Sequence, residues 1–117
     1  MYASTRLLGF AVLALMGACA SNNGPPAASA DAKAAISAAE AVGAQSEPQA
    51  ALHLKLARDQ TTRADALARD GKDDEARAMI ERAKVDAELA LVLTRDASVR
   101  AQANDEAERV RALEQSN

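Results

Sequence analysis

The chain has 117 residues, enough for one small domain. Its 14 Lys and Arg against 17 Asp and Glu leave a formal charge of -3, so it lacks the basic excess that holds nucleic acid. Tyr2 and Phe10 are its only aromatic residues, so the segment after Cys19 must build its core from Ala, Leu, Val, Ile and Met, without the aromatic side chains that commonly line ligand pockets, anchor interfaces and stack bases. Abundant Ala with few Gly and Pro predicts an all-α fold, with no small-molecule substrate or cofactor evident.

Residues 1–18 come first. "MYASTR" carries Arg6, and "LLGFAVLALMGA" is an apolar run too short to span a hydrocarbon layer of about 30 Å. A basic start, a short apolar run and small residues at its end predict a secretory signal peptide. The only cysteine, Cys19, follows directly. Gly17-Ala18-Cys19 resembles the bacterial lipobox, in which small residues precede a Cys that is acylated and becomes the mature N-terminus. Met16 stands where that pattern prefers Leu. The resemblance implies cleavage before Cys19 and lipidation of Cys19. Ala20 in place of Asp implies, by analogy with the enterobacterial sorting rule, the outer membrane. The competing site is Ala18-Cys19-Ala20, an A-x-A pattern that would release a soluble periplasmic protein starting at Ser21.

Residues 19–28, with Asn, Gly, Pro and Ser and no periodicity, are expected to form a flexible tether. The helical domain is expected over 29–117. Its first helix, about 30–44, presents Ala32, Ala35, Ile36, Ala39, Val42 and Gly43 on one face, with Ser29 or Asp31 as cap. The second, about 47–70, opens with Ser46 and Gln49 at capping-box spacing and Pro48 in the first turn. One stripe passes through Ala50, Leu54, Ala57, Thr61, Ala64 and Ala68, another through His53, Leu56, Gln60 and Leu67. Gly71 ends the helix.

The third helix, about 73–114, has Asp73 as expected N-cap and Asp74 and Glu75 in its first turn, where the helix dipole favours acids. One stripe runs through Ala76, Ile80, Ala83, Ala87, Ala90, Thr94, Ala97 and Ala101. A second runs through Val85, Leu89, Val92, Val99, Ala103, Val110 and Leu113. Together they predict a wide apolar face over 80–94, suited to two helical neighbours. Past Asp96 the face is diluted, so the tail is expected to project or to meet a partner, with Val99, Val110 and Leu113 available for self-association.

The short connection between the second and third helices predicts an antiparallel hairpin. The first helix then packs back as an up-down-up three-helix bundle with a long C-terminal helix. The competing arrangement lays it end to end with the second helix, making one long hairpin broken at 43–48. Pairs spaced by four (Asp59/Arg63, Asp65/Arg69, Asp73/Arg77, Arg77/Glu81, Arg82/Asp86, Lys84/Glu88) are expected to support the helices.

Few residues offer chemistry. A hairpin turned at 71 brings His53 and Lys55 near Asp86 and Glu88, a polar cluster that fixes helix register more readily than it binds metal. There is no P-loop, cysteine cluster or nucleophile elbow, so no enzyme is expected. "GKDDEARAMIERA" (71–83) resembles the second half of a tetratricopeptide unit, but the first-half aromatics and the repeat are missing.

Residues 29–100 also resemble the small alanine-rich envelope lipoproteins of domain-of-unknown-function family 4398. The resemblance rests on "AAISAAEAVGA" (34–44), "PQAALHLKLARDQ" (48–60) and "DGKDDEARAMIERAKVDAELALVLTR" (70–95), with Pro48, Gly71, Ala76, Ala83, Asp86, Ala87 and Leu89-Ala90 matching best. It implies an envelope lipoprotein held at the membrane through its lipid, with no catalytic residue to carry over, while the third helix is expected to serve a protein partner or self-association. The sequence ends at Asn117 without a C-terminal Lys or a peptidoglycan-binding domain, so direct cell-wall linkage is not expected.

Overall fold

The computed structural model describes residues 25–116, with side chains from residue 28 onward. Three α-helices form: α1 (Pro25–Ala41), α2 (Pro48–Arg69) and α3 (Asp73–Gln115), with a single 3-10 turn, Ala44–Ser46, between α1 and α2. The described residues contain no strand, and no helix among them is long and apolar enough to cross a membrane.

α1 starts inside the segment expected to be tether. Pro25 and Pro26 occupy its first turn, where a missing N–H costs nothing because that group has no intrahelical acceptor, and Ala27, Ala28 and Ala30 then favour helix. Ser29 and Asp31 are therefore interior residues, not caps. α1 stops at Ala41 because Gly43 turns left-handed at φ 85°. The cap of α2 also differs from expectation. Ser46 lies in the 3-10 turn, and the Glu47 side chain accepts the Ala50 N–H directly ahead of Pro48. At the other end of α2 the Gly71 N–H donates to the Ala68 carbonyl at 3.1 Å and the Lys72 N–H to the Leu67 carbonyl at 2.9 Å. This is the Schellman arrangement, and it needs the positive φ of 74° at Gly71. α3 begins without a side-chain cap at Lys72. Asp73, Asp74 and Glu75 fill its first turn, where they favour the dipole without bonding the helix end.

The three helices make the expected up-down-up bundle. Ala32 of α1 packs with Ala64 of α2 and with Ile80 and Ala83 of α3, while Ile36 and Ala39 join Leu54, Ala57, Ala87 and Ala90. α1 therefore runs antiparallel to α2 and parallel to α3, and the end-to-end alternative does not occur. α1 rests chiefly on α3 and less on α2.

The core is lean. Among the described residues, Ile36, Leu54 and Ile80 are the only buried apolar side chains larger than a methyl group. Alanine at facing positions lets helix axes come close, so backbone–backbone dispersion replaces large side chains. Thr61 is buried in this layer with its hydroxyl donating to the Ala57 carbonyl at 2.8 Å, so no polar group is stranded there.

The second stripe of α3 is a correction. Val85, Leu89 and Val92 are 62%, 38% and 58% exposed and do not widen the buried face. α1 and α2 both settle on the alanine stripe of α3, whose small side chains allow two helices to approach side by side. The larger residues are left on the outer surface.

Candidate functional site

Two features stand out above the bundle itself: a polar cluster across α2 and α3, and the outward face of α3 with its projecting end.

The cluster forms as the hairpin register predicts. His53 Nδ1–H donates to Asp86 Oδ1 at 2.8 Å, and Gln60 Nε2 donates to Asp86 Oδ2 at 2.7 Å. Both carboxylate oxygens are thus engaged by α2. The His53 and Asp86 side chains are 28% and 19% exposed, so the cluster sits at the rim of the interface. The amide of Gln60 must point its nitrogen at the acid, which leaves its oxygen buried without a hydrogen bond. Lys55 and Glu88 do not join. Lys55 pairs with Asp59 on its own helix. Among the described residues no group of three or more His, Cys, Asp or Glu is arranged to hold a metal ion.

Asp86 is thereby a register pin. Asp86→Ala leaves the His53 and Gln60 donors without their acceptor, and we expect it to cost about 1–3 kcal/mol of stability. Lys55→Ala, at an exposed pair, is expected to stay within about 0.5 kcal/mol. Urea denaturation of the two variants checks this. Equal, negligible losses would show that the pin contributes nothing.

The remaining ion pairs differ from the expected set. Arg58 reaches across from α2 to Glu40 on α1, and α3 carries Arg77–Asp74 at 3.9 Å, Arg100–Asp96 at 2.7 Å and Arg109–Glu106 at 2.9 Å.

α3 is 43 residues, about 65 Å at 1.5 Å per residue, and outlasts its neighbours. Glu47 and Gln49 at the start of α2 border a groove with Asp96, Ala97, Arg100 and Asn104 of α3, which marks where the bundle ends. Residues 98–116 are exposed throughout, so about 16 Å of helix past Asn104 stands clear of the bundle. Val99, Val110 and Leu113 are 61%, 53% and 66% exposed on this segment.

The bundle's two ends are not equivalent. Ala28 packs on the cluster of Ala32, Ala64, Ile80 and Ala83, near the turn between α2 and α3. The chain thus enters the fold at the turn end, and α3 leaves it at the opposite end. Cys19, the lipidation residue expected from sequence, lies outside the described residues, as do the signal segment 1–18 and the tether up to residue 24.

A family model described as "Domain of unknown function (DUF4398)" matches residues 27–114. The chain belongs to the DUF4398 family. No curated protein and no solved structure matches it. The DUF4398 match exceeds the resemblance read over 29–100. It includes the exposed end of α3 almost to the last helical residue, so that segment is part of the family's domain and not an appendage to it.

Proposed function

We propose that this DUF4398 chain is a non-enzymatic outer-membrane lipoprotein whose helical bundle faces the periplasm as an interaction or structural module. The observation that carries the reading is Gly17-Ala18-Cys19 at the end of a short apolar run, with the lone cysteine of the chain at the acylation position. A single acyl chain holds a protein only marginally, so a mature form with several chains on Cys19 would anchor it stably. Ala20 supports outer-membrane sorting. The fold agrees with a binding or structural role. The polar cluster across α2 and α3 has its acid occupied on both oxygens, while Val85, Leu89, Val92, Val99, Val110 and Leu113 sit on the surface of α3.

Cys19→Ser should move the protein from the membrane to the soluble fraction, and globomycin should leave unprocessed precursor of the unmutated chain. Membrane fractionation of Cys19→Ser indistinguishable from the unmutated protein would end the lipid reading. Ala18-Cys19-Ala20 supports a second reading, a soluble periplasmic adaptor or chaperone-like protein cleaved after Ala20.

A further inference from the structure

The helical fold starts earlier than the tether composition suggests. α1 begins at Pro25, so only residues 20–24 lie between Cys19 and the first helix. Fully extended, that length of chain reaches about 20 Å. It joins the bundle at one end, not along a side. Ala28 packs on Ala32, Ala64, Ile80 and Ala83, beside the turn at Gly71. From that same end α3 runs about 65 Å to Gln115.

Resting on the anchored-lipoprotein reading, we propose that the fold is a stand-off arm. The turn end is held near the lipid surface, and the exposed end of α3 is carried away from it with a reach of about 85 Å.

Charge keeps the arm off the bilayer. A helix that lies in a membrane interface sets a polar face rich in Lys and Arg beside its apolar one. On α3, Asp and Glu outnumber Lys and Arg. Its outward apolar stripe is also crossed by Asp96 and Glu106, so laying that stripe on lipid would press two carboxylates into the interface. The cations of α2 are partly taken, Lys55 by Asp59 and Arg58 by Glu40. At the turn end Asp73, Asp74 and Glu75 fill the first turn of α3, and anionic headgroups repel them. The short link lets the bundle tilt, but the bilayer blocks every orientation that points α3 into it. The end farthest from Cys19 therefore stays farthest from the lipid.

The test uses the mature chain purified from envelopes and placed on a supported bilayer of phosphatidylethanolamine and phosphatidylglycerol. Neutron reflectometry reads the height of the protein layer. Protein density is expected to extend past about 50 Å from the headgroups, with an outer limit near about 85 Å. Removal of residues 105–117 should lower that limit by about 16 Å. A layer confined to about 25 Å, the thickness of a three-helix bundle on its side, would overturn the arm, as would a truncation that leaves the height unchanged. A chain made from Ala20 onward, which has no Cys19 to acylate, reads the anchor separately. If it forms the same layer, the anchor reading fails and the arm with it. If only the acylated chain binds and its layer stays thin, the anchor stands and the arm alone fails.

Discussion

Leu54→Ala is expected to lower the unfolding free energy by about 3 kcal/mol, a large share of the stability of a lean three-helix domain. Leu54 is 1% exposed and is the largest fully buried side chain among the described residues. It shares a cluster with Ile36, Ala39, Ala50, Ala57, Ala87 and Ala90. Most of those neighbours end at Cβ and have no rotamer with which to close the space, so the loss combines transfer energy with a persistent cavity. Leu56, two residues on and 38% exposed, provides the comparison. Leu56→Ala is expected to cost below about 1 kcal/mol. Urea denaturation of Cys19→Ser chains carrying each change measures the difference. A Leu54→Ala loss no greater than that of Leu56→Ala would mean that the alanine layer, and not Leu54, sets the stability.

Ala87→Leu should be as damaging in the opposite sense. Ala87 is fully buried and belongs to the stripe of α3 on which both α1 and α2 lie. Three added carbons at that position have no room without moving a helix, and overpacking of this kind costs about 1–3 kcal/mol. α1 is the weaker partner, since it is the shortest of the three helices and leans mainly on α3. The expected result is loss of stability together with faster proteolysis near Gly43–Glu47, where α1 joins α2. A variant as stable and as protease-resistant as the parent would show that the helices have slack between them.

Much of this arrangement is legible in the sequence, and the gaps have physical causes. The buried stripes of α2 and α3 follow from their alternating spacing of three and four, and the turn at Gly71 from the need for a positive φ. The His53–Asp86 contact follows from counting outward from that turn. The polar cluster needed Gln60 as well, which spacing had placed on the same stripe as His53 without marking it as a ligand of Asp86. The start of α1 was hidden because two prolines read as a break, although proline is well tolerated in a first turn. Ser46 and Asp73 are good cap residues by type, yet Glu47 caps α2 and α3 starts uncapped, because the chain path decides which residue holds the non-helical backbone position. Surface pairs spaced by four contribute only about 0.2–0.5 kcal/mol each, so a competing partner redirects them easily. Arg58 finds Glu40 on another helix, and Lys55 takes Asp59.

The outward stripe of α3 is the instructive case. Periodicity identified Val85, Leu89 and Val92 as apolar and in phase, but periodicity alone does not say which of two stripes a helix buries. The mostly alanine stripe admits two close neighbours, and Val85, Leu89 and Val92 remain outside. That inversion gives α3 an exposed stripe reaching Leu113, inside the region that the family model covers.

The most direct measurement is the intact mass of the mature protein extracted from the envelope of cells producing the full chain. The account predicts a polypeptide beginning at Cys19 with the added mass of its acyl chains. An unmodified polypeptide beginning at Ser21 would contradict it.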